Sequence, residues 1–289
     1  MNSDSDEEEE LPEGAIPYDI GEAAERGEVE RIKDWLAADP HRGINDANDQ
    51  GWTLLLYAAS GHGLNNGDNY RDINSGNLEL ARYHLARGAD VNHASDYGMT
   101  PLHLSCQMSG EAPAMVRLLL DAGASMHARC ASGYDNVGHN AKPIALTATS
   151  GPYNPRRGNR AAHAIMCSLL RAGASLDSVY RGEQSVEDRL RSHEQIYPHL
   201  AEDEHFIAVK DLVASVRKHG SWKALCIAPH RMVLILRSLV ARGRVKLPRT
   251  RRRSPRDRGM RQERALEFVV RQGDNGVVWN ILSFWRATN

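Results

Sequence analysis

The chain has 289 residues, 25% of them charged and 41% hydrophobic, and a formal net charge of −1. That length suits one large domain or two smaller ones with a full core, and the near-neutral balance excludes a general electrostatic pull toward nucleic acid or an anionic membrane. Cys106, Cys130, Cys167 and Cys226 lie far apart without CxxC or paired His/Cys spacing, which argues against a zinc site and a secreted disulfide framework and for a reducing compartment, cytoplasm and/or nucleus.

Residues 1–13 hold Asp4, Asp6, Glu7, Glu8, Glu9, Glu10 and Glu13 with no Lys or Arg. Such a run repels itself, so 1–16 read as a disordered acidic tail and not as a signal peptide. A helix–turn–helix unit then recurs. Its plainest copy is Gly98-Met99-Thr100-Pro101-Leu102-His103-Leu104-Ser105-Cys106, closed by Leu118-Leu119-Leu120-Asp121-Ala122-Gly123-Ala124. Gly98 supplies the positive φ of a turn, Thr100-Pro101 opens the first helix, and Gly123 ends the second. Another copy runs from Gly51-Trp52-Thr53-Leu54-Leu55-Leu56 to Leu85-Ala86-Arg87-Gly88-Ala89-Asp90-Val91-Asn92, and a weaker one from Lys142-Pro143-Ile144-Ala145-Leu146 to Leu169-Leu170-Arg171-Ala172-Gly173-Ala174-Ser175. Atypical units flank these. Residues 20–32 form a degenerate first one, and a fifth opens near Gly182, with Phe206, Val209, Val213 and Val216 at helical spacing.

These units resemble ankyrin repeats. The resemblance implies an all-α repeat fold, an ankyrin solenoid of about four to five helix–turn–helix units with β-turn fingers, plus C-terminal capping helices. The expected divisions are the tail 1–16, the repeat domain 17–219, a helical cap 220–247, a basic linker 248–262 and terminal helices 263–289. Thr53 to Thr100 spans 47 positions and Thr100 to Lys142 spans 42, against a repeat of ~33. The surplus falls at 59–78, 132–140 and 151–160, in Gly-, Asn- and Tyr-rich stretches expected to be exposed turns. Such insertions are either tolerated at little entropic cost or are contact loops tipped by Tyr134 and Tyr153.

By position in the ankyrin pattern, a protein or peptide partner would meet Asp49, Gln50 and Trp52 in the second repeat and Asp96, Tyr97, Met99, Gln107 and Met108 in the third. Trp52, Tyr97 and Met99 are large apolar groups where the fold asks for none, and an exposed stripe of them would anchor an interface. They would otherwise pack on the neighbouring finger. Asn92 fits the pattern that asparaginyl hydroxylases modify, and the plainer expectation is an Asn bonding its own finger turn.

Residues 242–264 are strongly basic. Arg249, Arg251, Arg252, Arg253, Arg256 and Arg258, around Ser254-Pro255, resemble a nuclear-localisation or arginine–serine segment. Without an interleaved aromatic for base stacking, nucleic-acid binding is disfavoured. Further on, Val278, Trp279, Ile281, Leu282 and Trp285 lie in a stretch that resembles the first helix of an F-box, which would dock cullin-ligase components. The chain ends before the remaining F-box helices. The same stretch, with the Trp222 helix, also resembles ankyrin proteins of single-celled algae.

No nucleophile elbow, phosphate loop, HExxH or EF-hand pattern is present, and His193, His199 and His205 do not share one metal-binding face. The expectation is a non-enzymatic interaction scaffold without catalytic residues, cofactor or metal and with no membrane contact. A ubiquitin-ligase substrate adaptor and a nuclear RNA-associated factor are the alternatives.

Overall fold

The helical spacing of the apolar residues is realised in the computed structural model, which describes residues 15–63, 71–130, 140–148, 158–177 and 185–242. The chain divides into two units, 1–214 and 215–289. In the first, helices come in pairs: α1 (Tyr18–Arg26) with α2 (Val29–Ala37), α3 (Leu54–Ser60) with α4 (Ser75–Ala86), α5 (Pro101–Ser105) with α6 (Ala112–Asp121), and α7 (Pro143–Thr147) with α8 (Gly158–Ala172). First helices pack on first helices (α1 on α3, α3 on α5, α5 on α7) and second on second (α2 on α4, α4 on α6, α6 on α8). Next come α9 (Val186–Ile196), a 3-10 turn (Pro198–Glu202) and α10 (Glu204–His219).

This arrangement explains the all-apolar start of α3. Its turn is enclosed by α1, α4 and α5, so Leu54, Leu55 and Leu56 are all essentially inaccessible. A helix with neighbours on three sides has no polar face to keep wet. Two of the first helices, α3 and α5, also start by one local device. The hydroxyl of Thr53 accepts from Leu56 N, and that of Thr100 from His103 N, satisfying donors that a helix N-terminus leaves orphaned. Lys142 makes no such bond for α7, while Ser185 and Asp188 form a reciprocal capping box for α9.

Polar ties join one pair to the next. α1 ends at Gly27 with φ 73°, and its last carbonyls are taken up by side chains 50 or so positions on. Asn77 Nδ2 donates to Ala24 O at 3.0 Å and Glu25 O at 2.7 Å, and Asn74 Nδ2 donates to Arg26 O at 3.0 Å. The capping bonds of α4 are formed by Asn74 and Asn77 reciprocally, so one pair, Asn77 buried and Asn74 exposed, closes a helix and opens another. Asn45 Oδ1 accepts from Asp90 N at 2.8 Å, and Asn92 repeats the move one unit later. Asn92 Oδ1 accepts from Ser125 N at 2.7 Å and its amide donates to Gly123 O at 3.3 Å. Asn92 therefore ties the following repeat, not its own turn as expected. Its spacing from Asn45 matches the advance from one unit to the next.

His103 forms a third kind of tie. Its Nε2 lies 3.2 Å from Ala141 O and its Nδ1 3.2 Å from Thr100 N. With Nε2 donating and Nδ1 accepting, both contacts need the neutral ring. Burial pushes its pKa down to about 4. Burial likewise lowers His84 and His193 to about 4, and neither nitrogen of His84 has a hydrogen-bond partner.

The first insertion does more than lengthen an exposed turn. Its flanks pair as β1 (His62–Gly63) and β2 (Arg71–Ile73), antiparallel, and β2 runs parallel to β3 (Ser109–Gly110), in the helix-connecting turn of the next unit. Ile73 is buried, and its carbonyl accepts from Glu111 N at 2.8 Å. The second insertion extends a finger whose base is zipped by Cys130 N to Ala141 O (3.1 Å) and Asn140 N to Cys130 O (2.8 Å). Residues 151–157 of the third insertion lie outside the described residues, and Gly158, Asn159 and Arg160, expected in its exposed turn, belong to α8.

Phe206, Val209, Val213 and Val216 are buried along α10 at the expected spacing. In the second unit, α11 (Trp222–Ala241) runs through Pro229 and leaves Ile227, Arg231 and Ile235 exposed along one edge. The four cysteines form no disulfide among the described residues. Cys106 is fully buried and its thiol is pushed up to about 12 by that burial, while Cys167 is only half-buried.

Two measurements follow. A Cβ on Gly27 would sit 2.5 Å from Asn77 N and 2.7 Å from Asn74 Oδ1, whereas one on Gly88, also at positive φ, meets nothing. Gly88→Ala is expected to cost only the left-handed strain, about 1 kcal/mol. Gly27→Ala should cost at least twice that in urea unfolding; equal costs would mean that the asparagine tie carries no load. The three histidines have folded-state pKa values below that of the unfolded chain, so they add no pH dependence above pH 6.5. It falls as pH drops from 6.5 toward 4, because only the unfolded chain takes up protons there. Each such histidine can cost on the order of 3 kcal/mol by pH 4, and His84→Leu should flatten the fall.

Candidate functional site

The finger turns are built by Asx geometry. Asn48 Oδ1 accepts from Gln50 N at 3.0 Å and Trp52 N at 2.8 Å, while its amide donates to the Tyr57 hydroxyl at 2.9 Å. One asparagine thus shapes the second finger and pins it to the first helix behind. Gly51 turns at φ 73°, and Ala47 bridges Thr53 across the base. The third finger lies against the second. Asp96 N donates to Gln50 O at 3.1 Å, and His93 Nε2 lies 2.9 Å from Gly51 O.

Asp49, Gln50 and Asp96 are exposed at these joined tips. Tyr97 is half-buried beside Asp96. Trp52 is half-buried too, its ring 5.2 Å from that of Tyr57 at a 45° tilt, with the indole N–H enclosed and unpartnered. Met99 is only 6% exposed; its side chain is buried and presents no apolar surface to a partner. It follows Gly98 and immediately precedes the Thr100 cap, where the chain turns inward. Gln107 and Met108 are half-buried at the far end of α5 from the finger. The structure brings Asp49, Gln50, Trp52, Asp96 and Tyr97 into one patch and leaves Gln107 and Met108 at the other end of a helix.

Residues not singled out from sequence complete the patch. Tyr57 lies against Gly21 of α1, where a Cβ would meet its ring at 2.7 Å. Its phenol is pushed up to about 12, first by burial and then by the charges of Glu25 and Asp49. Tyr18, at the start of α1, is 80% exposed, and the neighbouring Glu22 raises its pKa. The available signals were an Asn three positions before a Gly-Trp turn and, for Tyr57, an aromatic in a helix otherwise made of small or aliphatic residues.

Tyr134, Tyr153, the basic residues Arg249, Arg251, Arg252, Arg253, Arg256 and Arg258, and the terminal Val278, Trp279, Ile281, Leu282 and Trp285 lie outside the described residues. Among the described residues no group of three His, Cys, Asp or Glu could hold a metal ion, and no described helix is long and apolar enough to cross a membrane.

Residues 73–120 match the family model described as ankyrin repeats (many copies). That span runs from β2 through α4, the third finger and α5 to α6. Residues 73–120 therefore carry ankyrin repeats. Ankyrin repeats generally mediate protein–protein interaction and are typically non-enzymatic. No curated protein matches the chain.

Asn48→Ala is expected to destabilise the protein by roughly 1–3 kcal/mol, since two finger amides and the Tyr57 hydroxyl lose their partner at once. Tyr57→Phe, which leaves the finger amides capped, should cost less. Chemical unfolding of both variants checks the order.

Proposed function

We propose that the protein is a non-enzymatic scaffold whose repeats stack as an ankyrin solenoid of four to five units and hold a protein or peptide on the concave face made by the fingers and first helices. The observation that carries this reading is the hydrogen-bonded junction of the second and third fingers at Gln50, Gly51 and Asp96. Tips locked to each other by one backbone bond and the His93 ring lose little freedom when a partner arrives, and that is where recognition gains most. Trp52, Tyr57 and Tyr97 supply aromatic area beside polar tips, the composition that binding anchors favour. Most of the affinity would come from these few groups and not from the total area covered. The adaptor and RNA readings depend on the terminal and Arg-rich segments, and no observation on the described residues favours either.

A photo-crosslinking residue tests the face. Placed at Gln50 it should capture the partner, whereas at Glu79, exposed on the second helix α4, it should not. Capture at Glu79 with none at Gln50 would move the interface to the opposite side of the repeats.

A further inference from the structure

The first-helix face and the second-helix face of this protein differ in how they treat aromatic rings and charge. On the second helices every described aromatic already carries a cation of its own. Arg42 lies over Trp35 at 4.4 Å, and Arg87 and Lys33 lie over Tyr83 at 4.9 and 5.6 Å. On the other face Tyr18, Trp52 and Tyr57 have no Lys or Arg over their rings among the described residues. The sequence explains the difference. Residues 43–60, the second finger with α3, contain Asp46 and Asp49 and no Lys or Arg. Residues 88–108, the third finger with α5, contain Asp90 and Asp96 and again no Lys or Arg.

The four carboxylates are not equivalent. Asp46 Oδ2 accepts from Gly43 N at 2.6 Å and Asp90 Oδ1 from Asn92 N at 2.9 Å, so both are used in building turns. Asp49 and Asp96 are exposed, and neither is paired with a cation among the described residues. The bond from Asp96 N to Gln50 O keeps these two charges on adjoining tips. Two unpaired carboxylates on adjoining tips, beside the exposed ring of Tyr18 and the half-buried rings of Trp52 and Tyr57, match a guanidinium or ammonium group, which takes a carboxylate at one side and a ring at the other.

We propose that the joined second and third fingers, with Tyr18, Trp52 and Tyr57, form a binding site for an arginine- or lysine-rich peptide of a partner protein. This rests on the concave-face reading and adds the chemistry of the occupant. The fourth unit bounds the site, since its finger carries Arg129 and its first helix opens at Lys142. A cationic segment would therefore register on the first three units.

The test uses the full chain and two labelled short peptides, one alternating Arg with Ala and one alternating Glu with Ala, followed by fluorescence anisotropy at low salt and at about 0.15 M. Only the basic peptide should bind. The double variant D49N/D96N should weaken it by about fivefold, while Glu79→Gln leaves affinity unchanged. The acidic residues 4–13 attract the same peptide in both proteins, so the ratio of the two affinities isolates the finger site. Unchanged affinity in D49N/D96N, or equal binding of the two peptides, overturns the proposal. A random peptide library crosslinked through Gln50 separates the two levels. Captured peptides without enrichment of Arg or Lys would overturn the cationic occupant and leave the face standing; no capture at Gln50 would remove the face itself.

Discussion

The structure depends on side-chain amides and one imidazole that satisfy backbone groups of a neighbouring repeat. A short helix leaves its last carbonyls open, and burying them without partners costs more than most single packing contacts return. Asn77 and Asn74 resolve this for α1, Asn45 and Asn92 for the turns that follow, and His103 for the base of the fourth finger. Each tie links residues distant in sequence while the apolar residues of adjacent units meet. Packing supplies the driving force, and the polar ties set the spacing and direction at which one unit meets the next.

The ties also account for what the insertions do. In a stack where each unit touches only its neighbours, extra residues are tolerated wherever they leave those contacts alone. Here the flanks of the first insertion go further and add a strand pairing from β2 to β3. The second unit, which lacks the histidine found at His103 in the third, is therefore joined to the third through the backbone instead. The loss of one kind of link coincides with the gain of another, and the two units are held by the finger bonds as well.

The proposed function rests on the side of the repeats that the ties leave open. Second helices carry cations that cover their own rings, which makes that surface self-satisfied. On the fingers and first helices the exposed Tyr18 ring and the Asp49 and Asp96 carboxylates have no cation paired with them among the described residues. An exposed charge costs little in water, but two of them held on locked tips are preorganised for a cation. Met99 illustrates the limit of reading such a face by position. Lying between two finger residues and a helix cap, it turns into the core while its neighbour Tyr97 stays at the rim.

Much of the fold was legible in the chain. Of the leucines Leu102, Leu118 and Leu119 expected in the core, Leu102 and Leu119 are buried with the α10 stripe while Leu118 is half-buried. The Thr-Pro and Gly punctuation placed the helices, because those signals act within a few residues. Asp49, Gln50 and Asp96 could be placed at exposed tips for the same reason. What the sequence could not settle involves groups some 30 to 50 positions apart, such as Asn77 with α1, Asn92 with the next turn, and β2 with β3. The burial of Met99, and the pairing of Trp52 with Tyr57, depend on what packs behind them. Local pattern determined which residues form each unit; the docking of one unit on another decided which polar groups are consumed as ties and which remain free to bind.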